Sequence, residues 1–177
     1  MIRMGIGLDR IKHVKLPVSD LARSASWYRE LFDLDLVAEY VADGELHGVS
    51  LVDRDAGIEI SLRQREFCAG RPDLAGFDVF ALGAPTEQLL DEVVERCDRL
   101  GIAHTEVWRF PGYGAGMDIP DPDGIPVRIV WPDSAGPWGR FEFIGVESGA
   151  DGEPRLYREP RLDLGQRGGR RPAVPGS

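Results

Sequence analysis

The chain has 177 residues, of which 42% are hydrophobic and 29% charged, and its formal net charge is −9. That length suits one domain, or two small modules sharing a core. The acidic balance argues against nucleic acid as a partner. No apolar run nears membrane-spanning length, and the opening MIRMGIGLDRIKH lacks the apolar core of a secretion signal, so a cytoplasmic protein without a membrane partner is the expectation.

Lys12 and Lys15 are the only lysines, and asparagine is absent. Both amino acids have AT-rich codons, which implies a GC-rich bacterial source. Cys68 and Cys97 lie far apart, outside any CxxC or Cys/His cluster, and read as buried or idle thiols rather than as a zinc site.

In chain order, Ile11 to Val18 alternates. Val14, Leu16 and Val18 fall on one strand face, and His13, Lys15 and Pro17 on the other. Ser19 and Asp20 are helix caps, and Leu21, Ala25, Tyr28, Leu31 and Phe32 repeat at helical spacing. Strand-like runs follow at 35–41 and 46–52, joined by an Ala42-Asp43-Gly44-Glu45 turn in which Asp-Gly is a strong hairpin signal. A third run, 58–63, puts Ile58, Ile60 and Leu62 on one face and Glu59, Ser61 and Arg63 on the other. The order is βαβββ, over residues 9–64. The polar stretch 64–76, with Gly70, Pro72 and Gly76, reads as a linker.

The pattern then repeats over 76–132. A strand is expected at Phe77–Leu82. A helix opens at Pro85-Thr86 and stops at Gly101. Strands at 102–110, 115–119 and 125–131 follow, with turns at Pro111-Gly112-Tyr113-Gly114 and Asp121-Pro122-Asp123-Gly124. The extension 133–164 carries a strand at Phe141–Val146 that can turn through 150–153 into Arg155–Arg158. Gly, Pro and Arg dominate 165–177, which reads as a mobile tail.

The HVxLxVxD strand followed by DLxxSxxWYxxLF, the DPDG before the last strand and the duplicated βαβββ pattern together resemble the vicinal oxygen chelate superfamily. That group includes glyoxalase I, extradiol dioxygenases, methylmalonyl-CoA epimerase, fosfomycin-resistance enzymes and bleomycin-binding proteins. The resemblance covers roughly residues 9–132. It implies an α+β fold, with two βαβββ modules forming a curved sheet around a cavity and the helices outside. Members usually have Gly after the first helix, where this chain has Asp33.

In metal-dependent members, four strand positions supply the ligands. Carried over, they are His13, Glu59, Phe77 and Arg128. His13 and Glu59 match the glyoxalase-like pattern, whereas a phenyl ring cannot ligate and a guanidinium stays cationic. A one-residue slip would put Asp78 in the place of Phe77, at the cost of flipping the strand. The resemblance therefore implies no cofactor; a divalent metal, if one bound, would use His13 and Glu59. A Glu59–Arg128 ion pair would fill the metal's place. His47 and His104 carry no motif and read as structural or surface residues.

Two function classes stay open. The first is an isomerase, lyase, cyclase or oxygenase acting on a small oxygenated or anionic metabolite. His13 and Glu59 would be its acid–base pair, with Arg128 holding a carboxylate or enolate. Lys15, Ser61, Arg63, Phe77, Trp108, Phe110 and Tyr113 would bind substrate. The second is a metal-free protein that sequesters a drug or metabolite, in which the aromatic residues dominate. A metal-dependent glyoxalase or dioxygenase is the further alternative. The partners implied are a small-molecule ligand and a second copy of the chain, as a homodimer. The ionisable residues converging on one face favour the enzyme.

Overall fold

The computed structural model describes residues 10–137, 139–140, 143, 145–148 and 154–162. The chain forms two compact units. Of the described residues, the larger holds those up to Phe110 together with Ala115–Trp131, and the smaller holds Pro111–Gly114 and those from Pro132 on.

The larger unit contains both βαβββ modules. Strand β1 (Val14–Val18) leads into helix α1 (Leu21–Phe32), then β2 (Asp35–Ala42), β3 (Glu45–Asp53) and β4 (Ile58–Gln64). The second module is β5 (Ala81–Gly83), α2 (Gln88–Leu100), β6 (Trp108–Phe110), β7 (Gly114–Pro120) and β8 (Pro126–Pro132). Each makes a four-stranded sheet of the same topology, β1-β4-β3-β2 and β5-β8-β7-β6. The first pair in each sheet is parallel, because a crossover helix joins the first strand to the rest.

The helix ends follow local chemistry. The Asp20 carboxylate accepts the Arg23 N–H at 2.9 Å. Asp33 closes α1 in the left-handed conformation (φ 55°), with its N–H on the Arg29 carbonyl. Asp thus does what Gly does at the end of α2, where Gly101 has φ 66°.

Each helix packs on one face of its sheet. Leu16, Val18, Tyr28, Leu51, Ile60 and Leu62 are buried in the first core, and Leu90, Cys97, Met117, Ile119 and Ile129 in the second. Trp27 and Phe32 pack against both. Each buried Leu or Ile contributes roughly 2 kcal/mol.

The DPDG turn also joins the modules. Asp123 accepts the Ser19 N–H at 3.1 Å and the Arg65 guanidinium at 3.0 Å, and Arg23 donates to the Pro122 carbonyl. Asp121, buried, accepts from the Tyr28 hydroxyl at 3.0 Å and from the Asp123 and Ile125 N–H groups at 2.8 and 2.9 Å.

Two strands are shorter than expected. The strand anticipated at Phe77–Leu82 is Ala81–Gly83, because Phe77 is tied into a turn by its N–H to the Leu74 carbonyl and Asp78 is drawn to Arg128. The strand anticipated at 102–110 begins at Trp108. Upstream, the Thr105 hydroxyl takes the Asp118 N–H at 2.9 Å, displacing an ordinary ladder bond.

In the smaller unit, β9 (Gly145–Ser148) pairs antiparallel with β10 (Pro154–Tyr157). Gly145 and Val146, from the strand anticipated at 141–146, open β9, and the strand anticipated at 155–158 begins and ends one residue earlier; Phe141, Glu142 and Ile144, the 150–153 turn and the 165–177 tail lie outside the described residues. The Tyr157 ring lies over Gly145, where a Cβ would collide with it, and Arg161 stacks on the ring at 4.2 Å. Among the described residues, no helix is long and apolar enough to cross a membrane.

Candidate functional site

On the face of the first sheet away from α1, strand register sets three rows. Lys15 lies across from Ser61, and Ser61 from Ser50, which faces Ala38. Pro17, Arg63, Gly48 and Tyr40 form the next row. On the other side of the Val14–Ile60 pair, His13 precedes β1 and lines one depression with Glu59, and Glu59 pairs with Val52. Gly48 has no room for a side chain, since a Cβ would lie 2.6 Å from the Leu62 carbonyl oxygen.

Glu59 is the best-anchored group of this face. The Lys12 ammonium pairs with its carboxylate, and the bond from Lys12, the nearby His13 and the Ser50 hydroxyl hold that carboxyl below the usual range, against the opposing effect of burial. Its side chain is 16% exposed, that of Lys12 69%. Glu59 lines two depressions. One, of about 430 Å³, is walled by Arg10, Lys12, Val52, Arg54 and Gly57. The other, of about 200 Å³, is walled by His13, Lys12, Phe80 and Ala81, where the first sheet meets β5. Arg10, Lys12 and Arg54 thus share the larger depression with two carboxylates, Glu59 and Asp53.

The corresponding place on the second sheet has different chemistry. Arg128 is held by Asp118 through two bonds, of 2.8 and 3.0 Å, and by Asp78 at 2.6 Å. The anticipated Glu59–Arg128 pair does not form: each charge is paired within its own module, Glu59 with Lys12 and Arg128 with Asp118 and Asp78. Phe77, expected beside Arg128, lies outside the strand and is exposed; Ala81 is the residue across from Arg128. His13 and Glu59 on the first sheet thus correspond to Ala81 and Arg128 on the second.

The donor set does not fit a metal of the vicinal oxygen chelate kind. The methyl of Ala81 offers no lone pair, and the Arg128 guanidinium is a fixed cation. Among the described residues, no three His, Cys, Asp or Glu side chains cluster as a metal would need.

Of the other anticipated binding residues, Lys15 is exposed and Ser61 buried, and both share the Glu59 face with Arg63. Trp108 lies on the second sheet across Gly116, where a Cβ would collide with the indole. Phe110 ends β6, and Tyr113 is buried in the smaller unit, its carbonyl accepting the Asp133 N–H at 2.8 Å. His47 stacks on Phe67 with ring centroids 3.6 Å apart, and His104 lies 3.3 Å from Asp98.

Sequence reasoning missed Lys12, Ser50 and Tyr40 as site residues. Lys12 was signalled by its place beside His13 at the strand edge. Ser50 and Tyr40 were signalled only by register, which two bulges obscure.

The sequence pattern of the Glyoxalase/Bleomycin resistance protein/Dioxygenase superfamily matches residues 10–129. No curated protein sequence matches the chain. Among solved structures, a glyoxylase/bleomycin resistance protein/dioxygenase domain from Frankia sp. EAN1pec is 23% identical, with a TM-score of 0.58, over 72% of this chain and 100% of that one. The antibiotic binding protein TnmS3 from Streptomyces sp. CB03234 is 19% identical, with a TM-score of 0.60, over 73% and 100%. The fosfomycin resistance protein FosX from Listeria monocytogenes is 17% identical, with a TM-score of 0.56, over 71% and 95%.

Proposed function

Since this chain belongs to the Glyoxalase/Bleomycin resistance protein/Dioxygenase superfamily, the vicinal oxygen chelate group, we propose that it is a metal-independent, cytoplasmic bacterial protein acting on a small anionic or oxygenated metabolite at the Glu59 face of its first sheet. The observation that supports this reading is the place of His13, just before β1, in the same depression as Glu59, with Lys12 on the carboxylate and Lys15 and Arg63 on the same sheet face. A carboxylate held ionised beside an imidazole is an acid–base pair, the equipment of isomerase, lyase, cyclase or oxygenase-type chemistry. Lys15 and Arg63 supply the charge for an anion. Arg128, already held by two aspartates, is left as a structural cation.

The test is a titration of the isotopically labelled protein with inorganic phosphate, short-chain carboxylates and phosphonates, followed by NMR. Saturable shifts centred on His13, Lys15 and Glu59, lost in Lys15→Ala, support the reading. No saturable shift at millimolar ligand overturns it.

Sequestration of a flat ligand is a second reading, and Trp108 favours it. Its indole spans the sheet over Gly116 and is 36% exposed, which makes an aromatic platform. A planar aromatic probe that quenches Trp fluorescence in the wild type but not in Trp108→Leu would move the assignment there.

We propose further that the protein works as a homodimer. Leu36, Val37, Tyr40, Val41 and Leu46 on the β2–β3 hairpin are all 41% exposed or more, and β2 is a sheet edge. Sedimentation is expected to show a dimer at micromolar concentration, and Val41→Lys with Leu46→Lys a monomer.

A further inference from the structure

Behind the Glu59 face, the two modules meet along an apolar seam. Ile58 and Ile60 alternate with Glu59 on β4 and so take the opposite side of the sheet, where Ile60 packs with Tyr28 of α1. Asp53, the partner of Ile58 in the β3–β4 ladder, lies on that side too. The seam holds a slot of about 150 Å³. Phe32 at the end of α1 and Ile58 wall it from the first module, and Leu82 on β5 with Leu89 and Val93 on α2 from the second. All five are only partly buried, so the slot is an apolar surface that water reaches.

Among the described residues, Asp53 is the one lining residue with a polar side chain. Its carboxylate is half engaged. Oδ1 accepts the Asp55 and Ala56 N–H groups of the β3–β4 turn, both at 2.9 Å. Oδ2 has no hydrogen bond or ion pair among the described residues. An ionised carboxylate has about four acceptor sites, so Asp53 can take a further donor and still hold the turn.

These features define the chemistry of a ligand. An apolar cavity of about 150 Å³ is enough for a benzene ring. A neutral apolar molecule would strip water from the Asp53 charge and give nothing back, and an anion would be repelled by it. An ammonium group on an apolar body meets both demands. The body covers the partly buried side chains, and an N–H donates to Oδ2 in a charge-assisted bond.

We propose that this slot is a binding site for a primary amine with an apolar body of benzyl size, its ammonium on Asp53 and its ring against Phe32, Leu89 and Val93. The cations that share the neighbouring depressions with Asp53 have other partners. Lys12 pairs with Glu59, Arg54 lies 3.9 Å from Asp35, Arg96 donates to the Glu30 carbonyl, and Arg10 is engaged as well. In the groove that continues the slot along α2, Glu92 and Glu95 offset Arg96 and Arg99. The slot lies on the other side of the sheet from the anion site proposed above and takes the opposite charge, so either reading can fail alone.

The test is a titration of the full chain, labelled at its Ile, Leu and Val methyl groups, with benzylamine, benzyl alcohol and benzoate at neutral pH, followed by NMR. Benzylamine is expected to give saturable shifts at Ile58, Leu82, Leu89 and Val93. Benzyl alcohol is expected to bind about tenfold more weakly, the worth of one hydrogen bond to a charged group. Asp53→Asn removes the charge but keeps an acceptor for the Asp55 and Ala56 N–H groups, so the turn is retained. It is expected to bring benzylamine down to the affinity of the alcohol and to leave the alcohol unchanged. Val93→Phe fills the slot and is expected to abolish binding of both. Equal affinity for amine and alcohol in the wild type overturns the proposal, as does tighter binding of benzoate, an unchanged benzylamine affinity in Asp53→Asn, or no saturable shift at millimolar amine. Should Val93→Phe not fold, Asp53→Asn decides alone.

Discussion

At Glu59, the Lys12 ammonium and the Ser50 hydroxyl both favour the charged carboxylate, so the folded protein binds that proton less tightly than the unfolded chain. The sign follows. Glu59 adds stability above the unfolded carboxyl value of 4.5, and that contribution disappears as pH falls through the lower folded value. Asp121 is opposite. Burial raises its carboxyl, against the bonds from Ile125, Asp123 and Tyr28, so it costs stability at neutral pH and the cost is relieved on acidification. Comparing Glu59→Gln with wild type by denaturant unfolding, the gap is expected to be largest near neutrality and to close at acid pH. A gap that widens on acidification contradicts this account of the carboxylate. The charge of Glu59 was readable from its alternation with Ile58 and Ile60. Its partner was not, because Lys12 and Arg128 are equally plausible cations until the strands are in register.

Among the elements, β5 shows how far pattern carries. The apolar run around Phe77–Leu82 and the DPDG turn made the duplication legible, and the second sheet has the topology of the first. The position opposite Arg128 was not legible. Phe77 looked right because the apolar run Val79–Leu82 fits the family's strand pattern best with Phe77 at the ligand position, but a turn at Leu74–Phe77 delays the strand, and Ala81 takes the place. The hairpin pairing was not legible for a similar reason: the turn residues fix the first two pairs, and a bulge at His47 shifts the rest. Local propensity sets where a strand starts to pair, while bulges answer to tertiary packing. The corrected register has a consequence. Ala81→His with Arg128→Glu is expected to raise affinity for Zn²⁺ or Ni²⁺ at least tenfold over wild type, measured by calorimetry, by completing two His and two Glu donors. Phe77→His with Arg128→Glu is expected to gain less. Equal gains from both pairs would contradict the placement of β5.

For the whole molecule, the larger unit depends on a turn that sequence alone presented as a connector. Asp123 is 4% exposed at its side chain and gathers bonds from the start of α1 and from Arg65, so it ties the first module to the second. Asp123→Ala is expected to cost about 2 kcal/mol in equilibrium unfolding, since it strips the Ser19 N–H of its acceptor and leaves the partly buried Arg65 guanidinium with Asp73 alone. A loss within the range of a surface substitution, below about 0.5 kcal/mol, would contradict that role. The two modules and their shared unit were legible in the sequence because hydrophobic period and turn residues agree there. The chemistry that separates their inner faces was only half legible. Residue types showed Phe77 and Arg128 to be unfit ligands, while the pairing of Arg128 with Asp118 and Asp78 required the folded strands. The first sheet keeps a His–Glu pair, and the second has replaced its counterpart with a methyl group and a neutralised arginine. The most direct test of this asymmetry is elemental analysis of the full chain, purified without chelator and then dialysed against Zn²⁺, Ni²⁺, Mn²⁺ and Fe²⁺ in turn. The account predicts well under one equivalent of any of them, unchanged in Glu59→Gln. Near one equivalent in the wild type, lost in both His13→Ala and Glu59→Gln, would contradict it.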